Sequence, residues 1–213
     1  MKSLLTGLLL ATLAWLPAAA RAADPVEGQD YVRIEGQPWA GKAQRIEVAE
    51  VFGYPCPNCA RLEPVLRRWK AGLPQDVDMV TVPAAFGGYW DDWARAYFAA
   101  AELGVAARTH PAVFDALHVQ GSVPRNPTDD ELAAFYAGHG VDPARFRAAL
   151  ASPAVEAQRR RAAAFVRNAR LPGTPALVVA GRYVVQPAAP EDMLRTAGWL
   201  IARERASSSP TSR

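Results

Sequence analysis

The segment Glu50-Val51-Phe52-Gly53-Tyr54-Pro55-Cys56-Pro57-Asn58-Cys59 decides the fold of this 213-residue chain. It closes an apolar, β-branched run, Arg45–Phe52, which predicts a strand with a buried second half. Apolar residues then recur at helical spacing, at Leu62, Val65, Leu66 and Trp69. The two cysteines of the chain therefore lie where a strand turns tightly into a helix.

The position of Cys56 at the first turn of that helix predicts a reactive thiol. Unpaired backbone N–H groups and the positive end of the helix dipole both stabilise a thiolate there. Cysteines in this setting have pKa values of roughly 3.5 to 7, against about 8.5 for a free thiol. Cys59, one turn further into the helix, is the candidate resolving thiol.

Three other interpretations of the cysteine pair remain open. A structural disulfide would close only a four-residue loop, which stabilises a fold weakly. A metal site would need two further ligands, and none of the three histidines forms a matching pair with Cys56 and Cys59. The last is a pair of reduced thiols with no redox role. We expect neither a metal nor an organic cofactor.

The rest of the chain predicts strands at both ends of a helical block. Tyr31–Ile34 is a short lead-in strand, and Val77–Pro83 alternates polar and apolar residues, which gives a β-α-β start. Pro64 predicts a kink in the first helix, near Arg61–Pro64. Further helical runs follow at Trp93–Leu103, Pro111–Val119, Thr128–Gly138, Pro143–Leu150 and Ser152–Arg170. A hairpin and a closing helix complete the pattern, at Ala176–Ala180 with Tyr183–Val185 and at Pro190–Glu204.

Both ends of the chain are expected to lie outside the folded part. Residues 1–22 combine Lys2, an apolar run at Leu4–Leu16 and the small residues of Ala20-Arg21-Ala22, which predicts a secretory signal peptide cleaved after Ala22. A membrane anchor is the alternative, although the apolar run has 13 residues and a spanning helix needs about 20. Export predicts an oxidising compartment, in a bacterium the periplasm. Residues 206–213 are predicted to be a disordered tail.

Composition excludes two further classes. With 50% hydrophobic and 21% charged residues, the chain can bury an ordinary core and is not a disordered segment. The net charge of +3 falls to +1 when Lys2 and Arg21 leave with the signal peptide. No basic footprint of the kind that nucleic-acid binders need remains.

A second motif, Gly173-Thr174-Pro175, directly precedes the predicted hairpin. Taken alone, Pro175 is an ordinary strand-initiating proline, since only about 5–6% of X-Pro bonds are cis in folded proteins. Because it follows a helical block and precedes the closing hairpin, it occupies the position that a cis-proline loop fills beside the dithiol in thioredoxin-like folds. The two motifs together resemble the DsbA family of periplasmic thiol:disulfide oxidoreductases, from about Tyr31 to the last helix.

The resemblance implies an α/β architecture, a thioredoxin-like fold with an inserted α-helical domain. Residues 23–89 and 169–205 would form the thioredoxin-like parts, and residues 90–168 the insertion. Cys56 would be the exposed redox cysteine, Cys59 its partner and Pro175 a contact for bound substrate. Supporting roles would fall to Pro57, Asn58, Glu50 and Thr174. The redox-active Cys56–Cys59 disulfide is the only redox group implied.

Three features of the sequence bear on how strong an oxidant the Cys56–Cys59 disulfide is. The best-known family members carry a histidine where this chain has Asn58, and a lysine on the strand that corresponds to Val77–Pro83. Losing one to two pKa units of thiolate stabilisation weakens an oxidant by roughly 30–60 mV. Glu50 lies where the family keeps a buried acid; the alternative is a solvated edge carboxylate. Its apolar neighbours favour burial and a proton relay to Cys59.

Aromatic and histidine side chains outside the dithiol segment carry weaker signals. Phe86 and Tyr89 are candidates for an apolar substrate groove, with packing between the two domains as the alternative. For Trp93 we favour packing. His110 and His118 are expected to be ordinary helix-surface or core histidines.

The predicted function is donation of the Cys56–Cys59 disulfide to unfolded, newly exported proteins by a monomer. The resemblance implies a DsbB-type membrane partner as reoxidant. One alternative is a disulfide reductase or isomerase on the same fold. The other is a non-catalytic binding module or chaperone, in which the dithiol is incidental.

Overall fold

The computed structural model describes residues 23–41, 45–186 and 188–208. The predicted signal peptide and residues 209–213 lie outside the described residues. The described elements are β1 (Tyr31–Arg33), β2 (Ile46–Phe52), α1 (Pro57–Ala71), β3 (Val77–Pro83), α2 (Tyr89–Glu102), α3 (Ala106–Asp115), a π-helical turn (Ala116–Gln120), α4 (Asp129–Ala137), α5 (Pro143–Leu150), α6 (Pro153–Asn168), β4 (Ala176–Val179), β5 (Tyr183–Val185) and α7 (Pro190–Ser208). Within these ranges, no helix has both the length and the apolarity to cross a membrane.

The strands form one mixed sheet in the order β1-β5-β4-β2-β3. β2 and β3 are parallel, with Ile46 opposite Val77 and Phe52 opposite Pro83, whereas the other neighbours are antiparallel. The predicted β-α-β start and the closing hairpin are both confirmed. Because β2 is paired on both sides, its end, which leads into the dithiol turn, is held by the sheet.

Alternating side chains divide the sheet into two buried faces. Val48 lies in one apolar cluster with Leu177 of β4 and residues of α1 and α7. Ala49 and Val51 lie in the other cluster, with Val178 of β4 and residues of the helical block. A strand covered on both faces needs a continuous apolar sequence, which explains the composition of β2.

Several helix boundaries differ from the prediction. α3 begins at Ala106, so Pro111 lies inside the helix and not at its start. Proline favours the first helical position, but here the residues before Pro111 are already helical, and among them Thr109 is buried with its hydroxyl donating to the Val105 carbonyl at 2.9 Å. α2 begins at Tyr89, and α7 runs to Ser208, three residues into the predicted tail. α1 continues through Pro64 without interruption, and the predicted kink stays a prediction.

The helical block closes tightly over Gly53, the residue that follows β2. A Cβ atom at Gly53 would overlap the ring of Trp90 in α2, 2.7 Å from its Cε3 atom. We therefore expect Gly53→Ala to lower the free energy of unfolding by about 1–3 kcal/mol, since the ring must move.

The matched control is Gly198→Ala in α7, where an added Cβ meets nothing within 4 Å. That change should raise the free energy of unfolding by about 0.5–1 kcal/mol, because alanine is the better helix former. Urea denaturation measures both variants. A Gly53→Ala protein as stable as the wild type would contradict the close packing of Trp90.

Candidate active site

Cys56 is the N-cap of α1, and this position defines the geometry of the site. Its backbone is extended, with φ −85° and ψ 114°, and its N–H donates to the Gly53 carbonyl at 3.0 Å. Its sulfur accepts the backbone N–H of Cys59 at 3.3 Å. Pro57 occupies the first helical position, where a missing N–H removes no helical hydrogen bond. The local sequence thus directs the helix N-terminus at the Cys56 sulfur.

The two thiols have opposite electrostatic environments. Hydrogen bonds from the Cys59 thiol, from the side chain of Thr174 and from the N–H groups of Cys59 and Asn58 outweigh burial and lower the pKa of Cys56 to about 5. Burial, together with the adjacent Cys56, raises the pKa of Cys59 far above its ordinary value. Both cysteines are free thiols in the structure. At neutral pH the pair therefore carries one thiolate, on Cys56.

Cys56 is less exposed than the resemblance implies. As a whole residue it is 7% exposed, against 0% for Cys59. The Thr174 carbonyl lies 3.3 Å from the Cys56 sulfur and accepts its S–H in the thiol form. Of the two cysteines, Cys56 is nevertheless the one with any exposure to solvent.

A cleft lies beside Cys56, at the loop before β4. The Thr174–Pro175 peptide bond in this loop is cis. The cleft has a volume of about 360 Å³, and its walls include Asn58 and Arg61 of α1, residues 172–175 and 188–190, and Met193. The Arg61 guanidinium donates to the Asn58 side-chain oxygen, so a cation lies beside Asn58.

Phe86 and Tyr89 do not line this cleft. Both rings contact Trp90, with ring centroids 5.1 Å and 6.3 Å from it. Phe86 is 45% exposed. Trp93 is buried against Tyr54 with ring centroids 5.5 Å apart, so its predicted packing role is confirmed.

Glu50 is buried beneath α1, and the solvated-edge alternative is wrong. It is 3% exposed, and its Oε1 atom has no hydrogen-bond partner among the described residues. Burial, with a smaller contribution from the Glu63 charge, raises the pKa of Glu50 to about 8. A cleft of about 420 Å³ contains Glu50, Glu63 and Lys70. The positive charge of Lys70, on α1, opposes this rise in the pKa of Glu50.

Three side chains of the helical block contact the dithiol turn, and the sequence predicted such a contact for none of them. His118 Nε2 lies 2.7 Å from the Tyr54 carbonyl, and Arg125 donates to the Pro55 carbonyl at 2.6 Å. His110 Nδ1 lies 3.0 Å from the Tyr54 hydroxyl. Burial, reinforced by the Lys70 charge, lowers the pKa of His110 to about 4, so its ring is neutral at pH 7.

The expectation of ordinary helix-surface or core histidines stays a prediction for His118, although its side chain contacts the backbone of the dithiol turn. His110 contacts the same turn through a buried side chain. These partners are 56 to 70 residues apart in sequence, and no spacing rule connects them. Among the residues described, no group of three or more His, Cys, Asp or Glu side chains is arranged to hold a metal ion.

Comparison with known proteins gives one consistent result. The profile of the DSBA-like thioredoxin domain matches residues 74–197. The thiol:disulfide interchange protein DsbA of Pseudomonas aeruginosa is 34% identical over 209 residues, which cover 97% of this chain and 98% of the relative. The DsbA protein of Azotobacter vinelandii is also 34% identical, with 96% and 99% covered.

Solved structures agree with this result. The oxidoreductase DsbA from Xylella fastidiosa has a TM-score of 0.84 at 51% identity, and the match covers 85% of this chain and 98% of that one. The crystal structure of Pseudomonas aeruginosa DsbA has a TM-score of 0.79 at 35% identity, with 84% and 94% covered. The fold is the predicted thioredoxin-like fold with a helical insertion. A cysteine pair at a helix N-terminus on this fold, with relatives matched over nearly their whole length, places the chain in the DsbA family of thiol:disulfide oxidoreductases.

Proposed function

We propose that this oxidoreductase works as a disulfide donor, which passes the Cys56–Cys59 disulfide to newly exported proteins. The observation that carries the proposal is the opposite shift of the two thiol pKa values. A thiol with a low pKa is a good leaving group, so exchange at Cys56 favours the oxidised substrate. The low pKa also stabilises the reduced form of the enzyme, which makes its disulfide a stronger oxidant.

The first step opens the enzyme disulfide. A substrate thiolate attacks the Cys56 sulfur, the Cys56–Cys59 bond breaks, and Cys59 leaves with the electron pair. The product is a mixed disulfide between the substrate and Cys56. Attack falls on Cys56 because Cys59 is fully buried.

The second step releases the product. A second substrate thiolate attacks the substrate sulfur of the mixed disulfide, and Cys56 leaves as a thiolate. Two electrons have then passed from the substrate dithiol to the enzyme. The reduced pair must return these electrons to an oxidant, and we propose a DsbB-type membrane partner for this role.

Glu50 is proposed as the proton donor to Cys59 when that sulfur leaves. Its pKa of about 8 keeps it protonated at neutral pH. Glu63 follows Cys59 by four residues on α1, and positions four apart lie on the same helix face. Because Glu50 shares a cleft with Glu63, it lies on the side of α1 to which Cys59 points.

The substrate is proposed to lie in the cleft beside Cys56. Its loop presents Thr174 and Pro175 next to the accessible sulfur, and an extended chain there would meet backbone groups that are independent of sequence. Phe86, which is 45% exposed, and Tyr89 are proposed to widen the apolar contact surface beyond the cleft. Pro57 and Asn58 support the site through the helix N-terminus.

The periplasm is proposed as the compartment, after cleavage near Ala22. The signal-peptide pattern of residues 1–22 supports this, as does the need of a disulfide donor for an oxidising environment. We propose that the chain acts as a monomer without nucleic acid, metal or organic cofactor.

Trapping of the mixed disulfide tests the roles of the two cysteines. We expect Cys59→Ser to accumulate a mixed disulfide with oxidised glutathione through Cys56, because the buried resolving thiol is absent. Cys56→Ser is the matched control and should form little adduct. Mass spectrometry of the intact protein reads both variants, and equal adduct formation by the two would contradict the assignment.

The reduction potential of the pair separates donor from reductant. Equilibration in glutathione buffers, with the oxidised fraction measured, should give a potential at the oxidising end of the range, within roughly 60 mV of the strongly oxidising value of about −120 mV. A value near about −270 mV, the potential of thioredoxin, would favour a reductant instead. Binding of unfolded chains by Cys56→Ser, with no loss of oxidation relative to the wild type, would favour the binding module.

The raised pKa of Glu50 predicts a specific pH dependence of stability. Between its ordinary pKa of 4.5 and about 8, Glu50 keeps its proton in the folded state and loses it on unfolding. Its contribution to stability is therefore complete below pH 4.5 and is lost as the pH rises to about 8. Glu50→Gln, which cannot ionise, should gain about 2–4 kcal/mol in the free energy of unfolding at pH 8 relative to the wild type.

Urea denaturation between pH 5 and pH 8.5 measures this difference. The exposed Glu35→Gln is the control, and its pH profile should run parallel to that of the wild type. A Glu50→Gln profile that also runs parallel would show that Glu50 has no raised pKa in solution.

A further inference from the structure

The inserted helical block contributes two polar side chains to the turn that carries the redox-active cysteine. Arg125, in the segment between the π-helical turn and α4, donates to the Pro55 carbonyl at 2.6 Å. His118, within the π-helical turn, lies 2.7 Å from the Tyr54 carbonyl. Pro55 and Tyr54 are the two residues directly before Cys56. The backbone that leads into Cys56 is thus bound from a part of the chain outside the thioredoxin-like sheet.

We propose that Arg125 and His118 are positioning residues for the redox chemistry, which fix the turn before Cys56 and stabilise its thiolate from the helical block. The proposal deepens the proposed function, on which it rests for the direction of disulfide transfer. Neither residue contacts the reacting sulfur in the structure. Each acts through a backbone carbonyl next to it.

The electrostatic reason lies in the orientation of these carbonyls. A carbonyl oxygen carries partial negative charge, and the Pro55 carbonyl belongs to the peptide unit whose nitrogen is that of Cys56. A guanidinium bound to that oxygen offsets its negative charge and places a full positive charge on the peptide unit that leads into Cys56. Arg125 therefore adds to the stabilisation that the Cys56 thiolate receives from the helix N-terminus.

The charge of Arg125 is available for this role. Among the residues that the structure describes, no carboxylate lies within ion-pair distance of Arg125, and the carboxylates of Asp92 and Asp129 are both paired with Arg95. The backbone of Arg125 is also fixed, because its carbonyl accepts the indole N–H of the buried Trp93 at 3.0 Å. An anchored backbone keeps the guanidinium at the turn.

The helix geometry around His118 supports the same conclusion. Residues 116–120 form a π-helical turn, which ends at Gly121 with φ 61°. Such turns are rare and occur often at functional sites, because they rotate a side chain out of the regular helical register. Since a carbonyl only accepts, the Nε2 atom of His118 carries the hydrogen. The next residue, Val119, is left 78% exposed.

Other charged or titratable groups lie on the elements packed around the turn. They are Cys59, Arg61, Glu63 and Lys70 on α1, Glu50 on β2, and Tyr97 and His110 in the helical block. All of them are unchanged in a variant of Arg125. A difference in Cys56 titration between that variant and the wild type therefore reports the contribution of Arg125 itself.

The experiment titrates the Cys56 thiolate by its absorbance near 240 nm in reduced wild type, Arg125→Gln and Arg125→Lys. We expect Arg125→Gln to raise the pKa of Cys56 by about 0.5–1 unit, a moderate shift because Arg125 is exposed. Arg125→Lys, which keeps the charge, should return most of that shift. The equilibrium constant for reduction of the Cys56–Cys59 disulfide by glutathione should fall about three- to tenfold in Arg125→Gln.

The control is Arg108→Gln. Arg108 is also an exposed arginine of the helical block that donates to a backbone carbonyl, that of His139, but that carbonyl is remote from the dithiol in sequence. Arg108→Gln should leave the pKa of Cys56 unchanged. His118→Leu, which lacks the donor, should shift the pKa in the same direction as Arg125→Gln, and His118→Gln should restore it.

Several outcomes would overturn the proposal. An unchanged pKa of Cys56 in Arg125→Gln would do so, as would an equal shift in Arg108→Gln. Circular dichroism and thermal unfolding identify a variant that fails to fold. In that case the Arg125→Lys variant decides. A pKa of Cys56 in that variant that differs from the wild-type value contradicts a charge effect. A wild-type potential near that of thioredoxin would refute the donor function while leaving the difference between the variants readable.

Discussion

The hydrogen bond from the Cys59 N–H to the Cys56 sulfur is the interaction on which the site depends. It exists because α1 begins immediately after the dithiol turn, with Cys56 as its N-cap. The same arrangement makes the two thiols unequal, since one receives the helix N-terminus and the other is enclosed by the core. Every step of the exchange chemistry uses that inequality.

The two parts of the fold meet at the short turn between β2 and α1. The sheet fixes one side of the turn, because β2 is paired with both β3 and β4. The helical block fixes the other side, by packing Trp90 against Gly53 and by binding the carbonyls of Tyr54 and Pro55. The insertion is thus a structural part of the active site as well as a cover for one face of the sheet.

The burial of Glu50 lowers the stability of the folded protein. A carboxyl group with an unpaired oxygen in the core is destabilising, and it is tolerated because the group stays protonated at neutral pH. Buried ionisable groups of this kind occur often at functional sites, where they lower stability but have pKa values suited to the reaction. The adjacent cleft with Lys70 gives the acid a polar neighbour without exposing Cys59.

The sequence alone determined the dithiol turn, the β-α-β start, the closing hairpin and the burial of Glu50. These features are encoded by residues adjacent along the chain, whose spacing and apolar neighbours act locally. Only the tertiary structure decided that His118 and Arg125 bind the turn, that Thr174 contacts the Cys56 sulfur, and that Phe86 and Tyr89 do not line the adjacent cleft. It also decided that α3 passes through Pro111. Contacts such as those of His118, Arg125 and Thr174 join residues 64 to 118 positions apart. They depend on how the helical block packs over the turn and on the pairing of β4 with β2, which no local pattern specifies.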